Sequence, residues 1–86
     1  MGSARPRPKH LAAKLLKIRL DLGISQSQMV RRLNLPDPYT YCFVSKYELD
    51  RNEPPLMVLL AYAKVAGVPV ENLIDDDQEL GEKINN

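Results

Sequence analysis

The placement of proline and glycine constrains this chain more than any other feature. Seven prolines and four glycines fall in pairs and near-pairs between short runs of periodic apolar residues, so the chain reads as short elements joined by sharp turns. Its 86 residues hold one domain and one core, and a domain of this size buries only about 60% of its unfolded surface. With 44% apolar residues it is globular rather than disordered. One cysteine, Cys42, and one histidine, His10, exclude a zinc site or an internal disulfide, and a reducing, cytoplasmic setting is expected. No apolar run approaches the roughly 18 residues of a membrane span, and the start lacks the hydrophobic centre of a signal peptide. Met1-Gly2-Ser3 resembles an expression leader, and residues 1–8 are read as a disordered arm outside the fold.

Five helices are expected. Leu11, Leu15, Ile18 and Leu22 recur at helical spacing, with Ala12 and Leu16 widening the stripe, so residues 9–22 form an amphipathic helix stopped by Gly23. Ser25 is placed to cap a second helix over residues 26–33, with Met29, Val30 and Leu33 inward. Asn34 suits the left-handed end of that helix, and Pro36 and Pro38 prevent its continuation. The aromatic, β-branched segment 37–49 has some strand character, but a lone strand has no partner here. Asp37 as cap with Pro38 at the first position predicts instead a third helix, burying Val44 and Tyr47, with Thr40 or Phe43 one turn earlier. After the polar loop 50–55, the residues Leu56, Leu59, Leu60, Ala63, Val65 and Ala66 mark a fourth helix, expected to be the most buried element, ending at Gly67. Pro69 opens a last turn or two through Val70, Leu73 and Ile74, and residues 76–86 are read as an acidic tail with little to bury.

The net charge of +1 hides an asymmetry. Residues 1–32 carry eight basic side chains (Arg5, Arg7, Lys9, Lys14, Lys17, Arg19, Arg31, Arg32) against Asp21 alone, a net of +7. Residues 33–55 are −2 and residues 56–86 are −4. A basic front and an acidic back suit a phosphate-facing surface, although ordinary solvated helix faces give the same tally.

Three stretches together resemble the lambda-repressor-like, XRE-type helix-turn-helix domain. They are Leu15-Leu16-Lys17-Ile18-Arg19 with Leu22-Gly23-Ile24-Ser25-Gln26; Val44-Ser45-Lys46-Tyr47-Glu48; and Pro55-Leu56 through Leu60-Ala61-Tyr62-Ala63-Lys64 to Gly67-Val68-Pro69-Val70-Glu71-Asn72-Leu73. The resemblance extends over residues 11–74, within a domain bounded at 9–75. The resemblance implies a compact all-α, five-helix fold in which the second and third helices dock on double-stranded DNA and the third lies in the major groove. It places Thr40, Tyr41, Cys42, Ser45 and Lys46 on the base-facing side. Lys46 suits guanine O6 or N7, Ser45 and Thr40 suit bases or phosphates, Tyr41 suits a thymine methyl, and Cys42 is a small apolar filler. The competing assignment makes Tyr41 and Phe43 core aromatics and Lys46 a solvated charge.

The same resemblance assigns phosphate contacts to Ser25 and Gln26, where unpaired amides and the dipole favour an anion, with Gln26 also bracing the first residues of the third helix. Gln28 is either a further contact or an exposed helix former. Arg51 and Asn52 after the third helix, and Lys9 with Arg5 and Arg7 in the arm, are phosphate candidates, while Arg31 and Arg32 are equally explained by the helix dipole. Arg19 and Glu48 are implied as an internal salt bridge from the first helix to the third. The chain departs from the family in three places: a lengthened turn over Leu35 to Phe43, Val30 where alanine is usual, and Leu49-Asp50 where a glycine commonly follows the glutamate.

These residues imply a transcriptional regulator, or an engineered DNA binder on such a scaffold, with no cofactor, metal or small-molecule ligand. Monomer and homodimer on two half-sites both stay open. No catalytic constellation is visible, and an enzyme is not expected. The triplet Asp75-Asp76-Asp77 has a weak-cation alternative to a solvated tail. The rival function is an antitoxin-like protein-interaction module, using the acidic back or Leu20 and Tyr62 if exposed.

Overall fold

The computed structural model describes residues 8–36 and 39–80. Expectations for Arg5, Arg7, Asp37 and Pro38 lie outside the described residues, as does the end of the tail. The fold is all-α: α1 (Leu11–Leu22), α2 (Gln26–Leu33), α3 (Tyr41–Glu48), α4 (Leu56–Ala66) and α5 (Glu71–Ile74), with no strand among the described residues. Helix α1 packs against α3, α4 and α5, and α2 lies between α3 and α4. The shared core is Leu11, Leu15 and Ile18 from α1, Met29 and Leu33 from α2, Val44 and Tyr47 from α3, Val58, Leu59, Tyr62 and Ala63 from α4, and Leu73 from α5.

Local chemistry fixes the boundaries. Gly23 ends α1 at φ 71°, a left-handed conformation that costs glycine little, and its N–H closes on the carbonyls of Arg19 and Leu20. Ser25 opens α2 with a reciprocal capping box: its Oγ accepts from the Gln28 N–H at 3.1 Å while the Ser25 N–H donates to Gln28 Oε1 at 2.8 Å. Asn34 then takes the left-handed position at φ 55°.

Helix α3 starts later than the sequence suggests. Thr40, extended at φ −135°, ψ −179°, caps it by accepting from the Cys42 N–H at 3.2 Å. The Thr40 hydroxyl is the cap oxygen of α3, whose first helical residue is Tyr41. Thr40 is exposed, so the choice for the buried turn falls to Phe43, half-buried between Tyr39 at 4.9 Å and Tyr47 at 6.4 Å between ring centroids. Where the family pattern has glycine, Asp50 holds a left-handed φ of 61°.

Helix α4 has the largest share of buried residues among the five helices, with Val58, Leu59, Tyr62 and Ala63 in the core and Ala61, Val65 and Ala66 packed beside them. Its other side is open: Leu56, Met57 and Leu60 are 81%, 78% and 46% exposed. Packing also continues past Asp75. The Asp76 carboxylate accepts the backbone N–H groups of Lys9 (2.9 Å) and His10 (3.0 Å), capping α1 from across the chain. Helix α1 accordingly begins at Leu11 rather than Lys9. Lys14 is buried, and its ammonium donates to the carbonyls of Asn72 (2.7 Å), Asp75 (3.0 Å) and Gln78 (2.8 Å). Leu80 packs on the core beyond them.

Candidate nucleic-acid interface

Helix α3 separates into two sides. At roughly 100° per residue, Tyr41, Cys42, Ser45 and Lys46 fall within about 140° of its circumference, and Phe43, Val44 and Tyr47 occupy the rest. Val44 and Tyr47 are buried, Tyr41, Cys42 and Lys46 are exposed, and Ser45 is half-buried. Burial and then the neighbouring Tyr39 push the Tyr47 hydroxyl up to about 12, the behaviour of a neutral anchor. Tyr41 is 54% exposed, so it is not a core aromatic, whereas Phe43 does pack inward. The outward arc thus presents a phenol, a thiol, a hydroxyl and an ammonium with no core duty.

The orientation of this helix is set from behind by Glu48. Arg19 grips its carboxylate with two bonds, Nε to Oε2 at 2.7 Å and Nη2 to Oε1 at 3.1 Å, while Arg19 Nη1 donates to the Ile24 carbonyl at 3.0 Å. Glu48 Oε1 also accepts from Gln26 Nε2 at 3.0 Å. One carboxylate therefore ties α1, the turn, the first residue of α2 and the last residue of α3. The bond to Glu48 raises the Arg19 pKa against the opposing effect of burial. Tyr62 lies in the same region: burial, followed by the Glu48 charge, pushes its hydroxyl far above the ordinary range. That hydroxyl makes no hydrogen bond among the described residues.

The expected phosphate contacts divide in the same way. Gln26 braces α3, though at Glu48 rather than at its first residues, and one hydrogen of its amide nitrogen remains for an anion. Gln28 is exposed and commits its amide oxygen to the capping box, a local role that sequence spacing alone contained. Ser25, Arg51 and Asn52 are exposed, and the backbone N–H groups of Arg51 and Asn52 fold back onto the Lys46 carbonyl at 2.9 and 3.4 Å. Arg51 and Asn52 follow α3 directly, and Ser25 lies at the start of α2. Lys9 is also exposed, but its backbone is bound to Asp76 at the far end of α1.

The basic front is narrower than the charge tally suggests. Lys14 is spent on three carbonyls, Lys17 pairs with Asp21 at 2.9 Å, and Arg19 is paired with Glu48. Two carboxylates of the acidic triplet are likewise engaged, Asp76 with the Lys9 and His10 N–H groups and Asp75 Oδ1 with the Asp77 N–H at 2.9 Å. Tyr62 is fully buried and offers no partner surface, whereas Leu20 is 60% exposed. No described helix is long and apolar enough to cross a membrane.

The chain superposes on the crystal structure of NHTF, a hypothetical transcription factor from Neisseria, with a TM-score of 0.62 and 23% sequence identity, covering 85% of this chain and 86% of that one. At this identity the likeness is one of fold. No protein-family model matches the chain, and no curated protein does.

Proposed function

We propose that this chain is a sequence-specific double-stranded DNA-binding module of the lambda-repressor-like helix-turn-helix class, acting in transcriptional regulation as a binder rather than an enzyme. The observation that carries this is the exposed arc of α3, held from behind by the Arg19–Glu48–Gln26 junction and kept clear of the core. A major groove admits one helix of this size, and only side chains without packing duties can change partner from water to base edges. Tyr41, Cys42, Ser45 and Lys46 meet that condition, with Thr40 at the cap, while Ser25, Gln26, Arg51 and Asn52 flank them as phosphate contacts.

Selection from a randomised duplex pool, followed by titration of the best site at two salt concentrations, tests the proposal. A short enriched motif whose affinity falls steeply with salt is the expected result, because phosphate contacts release counterions. A pool that stays random, with salt-independent or undetectable binding, rejects it in favour of a protein partner.

A further inference from the structure

The end of α2, the connection that follows it and one side of α4 enclose a groove of about 470 Å³, within the roughly 300–1,000 Å³ of binding clefts. Its lining is mostly apolar: Leu33 and Val58 belong to the core, while Leu35, Tyr39, Met57 and Leu60 are more open to solvent. Two exposed cations also line it, Arg32 from α2 and Lys64 from α4. Among the described residues no acidic side chain lines the groove, and neither cation is in an ion pair. We infer that this groove docks an acidic amphipathic segment of a partner protein, whose apolar side chains enter the groove and whose carboxylates bond Arg32 and Lys64. The inference goes beyond the DNA-binding reading and does not depend on it.

Charge selects the occupant. An apolar lining alone accepts any apolar side chain, but a segment seated here also covers a guanidinium and an ammonium with no carboxylate beside them. A basic segment is repelled, and a neutral one removes water from both cations without replacing it. A carboxylate takes Arg32 through two parallel N–H bonds and Lys64 as a point charge. Both cations stand in the last turns of their helices, where the dipole favours them. The dipole does not explain the apolar surface beside them, where Met57 and Leu60 stay 78% and 46% exposed. None of the residues proposed to contact bases or phosphates lines the groove. Tyr39 does, and its ring meets Phe43 of α3 at 4.9 Å, so the occupant sits one ring away from the reading helix without covering its outer arc.

Selection of a displayed random-peptide library on the full chain, run in parallel on the double variant Arg32→Glu, Lys64→Glu, tests this. Both positions are exposed, so the variant should melt as the unaltered chain does. The unaltered chain should enrich peptides with large apolar residues flanked by Asp or Glu. The double variant should enrich Lys or Arg at those places and bind the acidic peptides at least about tenfold more weakly. With an enriched acidic peptide added to the isotope-labelled chain, amide shifts should centre on Leu35, Tyr39, Ala61 and Lys64. No enriched peptide, an enriched set without acidic bias, binding that survives both reversals, or shifts centred away from the groove overturns the inference. So does a double variant that loses duplex binding while neither protein selects a peptide, because the two cations then serve phosphates.

Discussion

Glu48 receives Arg19 and Gln26 in a largely buried setting, its side chain 4% exposed and that of Arg19 15%. Removing one partner of such a pair strands the other, which commonly costs about 3–5 kcal/mol. Arg19→Ala should lose stability on that scale in urea unfolding and weaken every DNA site through a loosened α3; a loss below about 1 kcal/mol contradicts the junction's role. Tyr62 sits in the same region with an unbonded, buried hydroxyl. Tyr62→Phe should keep or raise stability by about 1 kcal/mol, and a clear loss would reveal a partner for that oxygen. On the reading arc, Lys46→Ala and Tyr41→Ala should each reduce discrimination between the best site and its variants by roughly 1–3 kcal/mol, while Gln26→Ala weakens all sites together. Uniform losses from all three changes contradict the division into base and phosphate contacts. The Arg19 and Glu48 pairing is reachable from sequence only through the family resemblance, because nothing in the spacing of residues 29 apart brings them together. The burial of Lys14 is missed by a charge tally that counts it with the basic front, although it falls three residues after Leu11 beside the apolar stripe of α1, where a lysine must find acceptors.

Elements were readable where local chemistry decides them. The stripe of α1, the Ser25 cap and the Gly23 and Asn34 stops are written in consecutive residues. The start of α3 was less so, since Asp37 and Thr40 are both good caps and the choice depends on how Tyr39, Phe43 and Tyr47 stack. The exposed side of α4 was hard to see because apolar residues occur all round that helix, with Lys64 its one charged side chain to mark the outside. The segment after α5 looked like a solvated tail because its acidity is visible and its partners on α1 are not. Asp76 is the element-scale test. Its bonds to the Lys9 and His10 N–H groups hold its pKa below the ordinary value, so its contribution is present above the unfolded-state pKa and is lost as pH falls through the folded one. Asp76→Ala should lower Tm at neutral pH, and the gap between the two Tm values should close as pH falls below the ordinary carboxylate range; a gap that does not change with pH contradicts the cap.

Across the whole molecule, the +7 of residues 1–32, already net of Asp21, is partly consumed inside the fold, where Lys14 is bonded to three carbonyls and Arg19 is paired with Glu48. The surface proposed to meet DNA is therefore compact: the outer arc of α3, the first turn of α2 and the connection after α3. The most direct test is amide chemical-shift mapping of the isotope-labelled chain on addition of the selected duplex at moderate salt. The largest changes should fall on residues 25–28, 40–46 and 51–52, with the segment from Glu71 to Gln78 little altered. Changes centred on that segment, with α3 unmoved, would contradict the central claim.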